Sequence, residues 1–224
     1  MSIRSHEQVA LLTDYDANSA YSEAFYTLYA NIRFNWNSEK DRQLTLLITT
    51  PGPFAGQAGI AANIAIAAAQ SGTPVILVDA DLRNPGLEQR FGAVQCEGLS
   101  DLLEETEVTP QKVASYLQPT FIPGLRLLGA GSKSGPTALL HLTKLEAIFA
   151  SIRALLAEET TPSIVLFHSP AVESGADASV IAALVEQTLL VIGKNRTTRA
   201  QAKQAQEQLE RVHAHLAGVI LLDI

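Results

Sequence analysis

Two stretches carry residue types suited to chemistry. In Asp79-Ala80-Asp81-Leu82-Arg83, at the end of the apolar run VILV, two carboxylates and a guanidinium stand two residues apart. Acids so spaced can hold a divalent cation or take a proton from a hydroxyl; equally, they can cap a strand end and accept hydrogen bonds from loop amides. The second stretch, TTPGPFAGQAGIAANIAIAAAQSG over residues 49–72, reads as a strand end, a Gly/Pro-rich loop and a small-residue helix. That is the layout of a phosphate-binding loop, in which backbone amides and a helix N-terminus face phosphoryl oxygens. Such a loop also needs Gly-Lys-Ser or Gly-Lys-Thr, and this chain has Gly56-Gln57-Ala58. The lysine would bring positive charge to the terminal phosphates and the hydroxyl would hold Mg²⁺. Gln57 is uncharged and Ala58 has no oxygen.

The elements that must position these groups alternate along the chain. Apolar runs over residues 44–50, 74–81, 125–131, 163–170, 187–194 and 216–224 read as strands, most of them apolar at consecutive positions and so buried on both faces. Helical segments lie between them at residues 56–71, 137–158, 177–184 and 197–213, and a further helix, residues 18–36, precedes the first strand. The alternation predicts an α/β fold: a mostly parallel sheet with helices on both faces, in three layers, as one domain over residues 18–224. Residues 1–17 are polar and expected to be a loose tail. Residues 82–122 are expected to form loops and two short helices, near 87–91 and 99–104, over the carboxyl ends of the strands, where open α/β sheets bind ligands.

Composition narrows the function classes. With 224 residues and a net charge of −7, the chain can bury one full core but has no basic run for nucleic acid or an anionic membrane. One cysteine, Cys96, cannot form an internal disulfide and fits a reducing compartment. No signal-like N-terminus or spanning apolar run is present, so a cytoplasmic location is expected, with recruitment to the membrane left to a partner.

Together these residues resemble the cytoplasmic domain of the bacterial tyrosine kinases that regulate capsule and exopolysaccharide synthesis, the CpsD and CapB type. That family is a branch of the deviant Walker P-loop ATPases that includes MinD and ParA. SEAFYTLYANI (residues 22–32) looks like the family's SEAFRTLRTNI helix, and ILVDADLRNP (residues 76–85) like its DxDxR motif. GLSDLL (residues 98–103), DAS (177–179) and GVILL (218–222) fall in the same order. The resemblance implies a P-loop NTPase fold and places Asp79, Asp81 and Arg83 at positions that sit beside Mg²⁺ and the acceptor hydroxyl in active relatives.

The departures from the family pattern cluster on one function. PGPGEGKST becomes Pro51-Gly52-Pro53-Phe54-Ala55-Gly56-Gln57-Ala58-Gly59, with Phe54 where backbone must approach phosphate. The Walker B acid is replaced by His168 in VLFHSP, and imidazole is a poor ligand for Mg²⁺. The family's Glu-x-x-Arg-x-x-Arg, which packs ring neighbours together, is Glu23, Tyr26 and Tyr29. Tyr15, Tyr21, Tyr26 and Tyr29 otherwise read as an aromatic packing face, with a partner-binding or phosphorylated surface as the other reading. The degenerate loop Gly52, Pro53, Phe54, Ala55, Gly56, Gln57 and Ala58 is therefore expected to bind ATP and Mg²⁺ weakly if at all, with no cofactor. These departures lead to the expectation of a scaffold or regulator; the resemblance implies the cytoplasmic part of a membrane chain-length regulator as its partner, with self-association as a further expectation. The alternatives are a tyrosine autokinase or ATPase that works through Asp79 and Asp81, and a MinD/ParA-like positioning protein.

Overall fold

The structure, a computed structural model, describes residues 10–36, 42–54, 56–93, 97–132, 142–157 and 159–223. Its centre is a seven-stranded sheet in the order β3-β4-β2-β5-β1-β6-β7. The strands are β1 (Gln43–Thr49), β2 (Val75–Asp79), β3 (Gln118–Pro119), β4 (Leu125–Leu128), β5 (Ser163–His168), β6 (Gln187–Gly193) and β7 (Leu216–Leu222). All pairings are parallel except β3 with β4. Strand side chains alternate between two cores, as a sheet buried on both faces requires. Leu44, Leu46 and Ile48 of β1 join the core under α1 (Ala20–Asn35) and α2 (Gln57–Gln70). Leu47 joins the opposite core, under α6 (Leu142–Leu156), α7 (Asp177–Ala182) and α8 (Arg199–Arg211).

The three-layer α/β/α arrangement is the one the sequence predicts, and small side chains explain how α2 fits it. Eleven of its residues are buried, seven of them Ala or Gly, so the helix backbone lies close on the sheet. The predicted helix over 137–158 is seen as α6; residues 137–141 and 158 lie outside the described residues, as do Cys96 and Ala55.

Two regions differ from expectation. Residues 82–122 hold, besides α3 (Leu87–Arg90) and α4 (Leu99–Leu102), a third helix, α5 (Pro110–Tyr116), capped by the Thr109 hydroxyl, which accepts from the Lys112 amide. The same region supplies β3, an antiparallel edge of two residues ending in Pro119. Proline has no N–H to offer, and a strand that short leaves little to extend.

The second difference is the segment before α1. Of the expected tail, residues 1–9 lie outside the described residues, and residues 10–17 do not hang loose: a 3₁₀ turn, Leu12–Asp14, buries Leu11 and Leu12 in the core under α1 and α2. Asn63, fully buried in α2, fastens it. Its Oδ1 accepts from the Leu12 amide at 2.8 Å, and its Nδ2 donates to the Ala10 carbonyl at 2.9 Å and to the Tyr21 hydroxyl at 2.8 Å. Burial pushes the Tyr21 phenol up to about 12, so it stays protonated and donates to Ala10 in turn. A buried amide with every contact satisfied is worth this specificity, because an unpartnered one would cost about 1–3 kcal/mol.

Candidate functional site

The loop after β1 is pinned at its start and turns sharply at its end. The Val172 amide donates to the Thr50 carbonyl at 2.8 Å and the Glu173 amide to Pro51 at 3.1 Å, tying the loop to the 3₁₀ turn after β5. Gly56 precedes α2 with φ of 97°, a left-handed conformation that glycine adopts without strain. Thus a left-handed glycine leads into a helix N-terminus without a side-chain cap, a local arrangement of the kind that stands behind a phosphate-binding loop.

A cavity of about 390 Å³ opens at the carboxyl ends of the strands. Pro53, Phe54 and Gly56 form one wall, Gln57 and Ala58 the first turn of α2, and Asp81, Asn84 and His168 the opposite side. Its size is at the lower end of the range for small-molecule sites. None of these side chains is a lysine or arginine. Phe54 lies partly buried against the core under α1 and α2, so its ring is a packing group as well as a lining one.

Gln57, at the position where the family pattern quoted above has its lysine, takes part in a hydrogen-bond relay. Its Oε1 accepts from the Thr50 hydroxyl at 2.9 Å and its Nε2 donates to Asp81 Oδ2 at 3.3 Å. The amide thus satisfies locally what a lysine would present to a ligand.

The two aspartates are turned toward their own chain. Asp79, with no exposed surface, accepts from the Asp81 amide at 3.1 Å and from the Gly86 and Leu87 amides at 3.0 Å each. Burial, and the nearby Glu88 carboxylate, nevertheless push its acid up to about 8 against the pull of those amides. Asp81 Oδ1 accepts from the Arg83 and Asn84 amides at 3.2 and 2.9 Å; burial raises its acid too. Arg83 Nε pairs with Asp177 Oδ2 at 2.9 Å, joining the DADLR loop to the start of α7. These contacts hold the loop after β2 in shape, and only Asp81 of the pair borders the cavity.

His168 lies in register with Ile48 of β1 and Asp79 of β2, at the centre of the sheet's carboxyl end. It is 2% exposed, and its Nε2 has no hydrogen-bond partner among the described residues. Burial, with Arg90 nearby, pushes the imidazole down to about 3, so it is neutral at physiological pH. A neutral nitrogen at this point offers neither charge nor oxygen to a magnesium ion. Among the described residues no group of three His, Cys, Asp or Glu side chains is arranged to hold a metal.

The sequence singles out most of this site but misses Glu173. Its carboxylate sits so close to Gly52 that an added Cβ there would lie 2.6 Å from Oε1, and Gln201 of α8 donates to its Oε2 at 3.3 Å. An acid packed on the loop is legible only once β5 and β1 are known to be neighbours. The residues Glu23, Tyr26 and Tyr29 do not form one outward face. Glu23 is exposed, but Tyr26 bends back to donate to Gln70 Oε1 at 2.7 Å, and Tyr29 is 6% exposed with its hydroxyl against the Thr73 hydroxyl. Tyr29 is therefore corrected from an interface residue to a core residue. Tyr15 stacks on Tyr21, centroids 4.3 Å apart, which makes these rings part of the packing of the N-terminal segment.

No family model matches the chain. It is 30% identical over 220 residues to the tyrosine-protein kinase YwqD of Bacillus subtilis, covering 97% of this chain and 86% of that one. Among solved structures it superposes on the chimerical protein CapA2B2 with a TM-score of 0.79 at 28% identity, covering 94% of this chain and 88% of that one. It also superposes on the MinD cell division protein of Aquifex aeolicus with a TM-score of 0.64 at 20% identity, covering 81% and 70%, a likeness of fold alone. A 30% identity with YwqD that spans nearly the whole chain, together with the superposition on CapA2B2, makes this chain a member of the bacterial tyrosine kinase family of the CpsD and CapB type, a deviant Walker P-loop ATPase fold.

Proposed function

We propose that this chain is a non-catalytic member of its family, a pseudokinase that acts as a scaffold or regulator in capsular or exopolysaccharide production. The observation that carries the reading is the charge of the cavity: one carboxylate, Asp81, and no cationic side chain on its described walls. Mg-ATP brings concentrated charge that a working site must balance. Charge-assisted contacts are worth roughly 1.5–3 kcal/mol each, and losing the lysine and the metal hydroxyl weakens binding by roughly 10²–10⁴-fold. The neutral His168 stands in the Walker B place, and the Glu173 carboxylate beside Gly52 adds repulsion. Phosphoryl transfer loses more than binding does, since its catalysis is positioning and charge stabilisation around metal and γ-phosphate.

As a scaffold, the domain would dock on the cytoplasmic part of a membrane chain-length regulator and reach the inner face of the membrane through it. No helix among the described residues is long and apolar enough to cross a membrane. Titration calorimetry with Mg-ATP tests the reading. Dissociation in the millimolar range or weaker is expected; a constant below about 10 μM restores the autokinase reading through Asp79 and Asp81. Co-purification with a chain-length regulator encoded beside this chain, unchanged by added ATP, tests the scaffold role.

A further inference from the structure

We propose that the cavity at the carboxyl ends of the strands is a binding site for an uncharged sugar. The site is the one read above as non-catalytic, and the sugar rests on that reading: a pocket without the charges for Mg-ATP still presents groups in want of a partner. Those groups are of both kinds. Asp81 accepts three hydrogen bonds, from the Arg83 and Asn84 amides and from Gln57, of the roughly four a carboxylate can take, which leaves Oδ2 open to one donor more. Gln57 gives one N–H to Asp81 and keeps the other. The Asn84 side-chain amide, at an exposed position, makes no hydrogen bond among the described residues and offers donors and an acceptor together. The His168 ring borders the cavity, and its buried Nε2 has no partner among the described residues.

Three features select the ligand class. First, donors and acceptors are mixed. A fully ionised phosphate only accepts and an ammonium only donates, so either would leave part of this set unanswered; a hydroxyl does both. Second, the remaining wall is apolar. Pro53 and the half-buried Phe54 ring line it, and an aromatic ring takes the C–H face of a sugar well. A pyranose carries both surfaces on one small body, a rim of hydroxyls and a face of C–H bonds. At about 390 Å³, the lower end for small-molecule sites, the cavity suits one or two such rings. Third, charge separates neutral sugars from acidic ones. Asp81 lines the cavity, Glu173 lies against Gly52 of the same loop, and Arg83 is paired with Asp177, so a uronate would meet carboxylates and no lining cation.

Saturation-transfer NMR on the full chain reads this directly, with glucose, galactose, mannose, N-acetylglucosamine, glucuronate and adenosine as probes. Transfer to at least one of the four neutral sugars is expected, with millimolar dissociation on titration, and glucuronate should bind at least about tenfold more weakly than glucose. Asn84→Ala, at an exposed position, should weaken the bound sugar about five- to tenfold without moving the thermal melt. His168→Phe keeps a ring of similar bulk and should weaken it likewise; Asn84→Ala carries the test alone if that variant does not fold. Silence from all four neutral sugars, binding of adenosine alone, glucuronate as tight as glucose, or sugar binding untouched by Asn84→Ala overturns the proposal. The two readings of the cavity fail apart: micromolar Mg-ATP overturns the non-catalytic one whatever the sugars do, and sugar silence beside millimolar Mg-ATP overturns the sugar site alone.

Discussion

The two banks of the cavity have fared differently. On the β1–α2 bank Gly56 turns at φ of 97° into the helix, and Gln57 and Ala58 stand where the family pattern has a lysine and a hydroxyl residue. On the β2 bank the side chains survive, and Asp79 and Asp81 accept five backbone amides between them. On the reading proposed above, the difference teaches what a fold retains when a ligand no longer selects it. A side chain whose partners are all in the ligand can be replaced at no structural cost. One whose partners are the chain's own buried amides cannot, because each orphaned donor costs about 1–3 kcal/mol.

The comparison is broken most forcefully by refilling the empty bank. Gln57→Lys, Ala58→Ser and His168→Asp together should tighten Mg-ATP binding by roughly 10²–10⁴-fold in calorimetry, about 3–5 kcal/mol. If affinity stays flat, Phe54 has fixed a loop shape that phosphate cannot enter.

The next largest effect lies on the other bank. Asp79→Ala strands three amides and should cost about 3–5 kcal/mol in urea unfolding. Gln57→Ala on the emptied bank, half-buried with two exchangeable contacts, should stay within about 1 kcal/mol. Equal costs for the two would erase the distinction.

Acid titration sharpens the contrast further. The Asp79 acid rises from 3.8 to about 8 in the fold, so between those values the folded chain holds a proton the unfolded chain has released, and stability falls as pH rises. The His168 imidazole drops from 6.5 to about 3, so between those values the unfolded chain binds the extra proton, and stability falls as pH drops. From pH 6.5 to 8 only the first effect operates. Stability there should decline with pH by at most about 1.4 kcal/mol per unit, and Asp79→Asn should flatten the slope. Below pH 6.5 the two oppose each other, and His168→Phe should uncover the Asp79 slope alone. Smallest of all, Tyr26→Phe removes one half-exposed hydrogen bond and should lower the free energy of urea unfolding by less than about 1 kcal/mol.

Much of this was legible from residue order. Consecutive apolar residues in PVILVDAD and SIVLFHSP specify strands buried on both faces, and GQAGIAANIAIAAA specifies a helix lying close to a sheet. The vacancy of Gln57, Ala58 and His168 is a matter of side-chain chemistry, which sequence reports directly. What sequence hides is whom a side chain touches. Tyr29 reads as surface beside Glu23 and proves to be core, because its neighbour Thr73 lies 44 positions away at the far end of α2. Leu11 and Leu12 sit in a polar stretch whose anchor, Asn63, has no local signature. α5 and β3 are short and depend on packing more than on periodicity.

Pro119 has a bearing on how the sheet meets its surroundings. A margin two residues long that closes on an imide nitrogen gives an incoming strand almost no ladder to join, so this side resists unwanted extension by its own chemistry and needs no covering helix to do so.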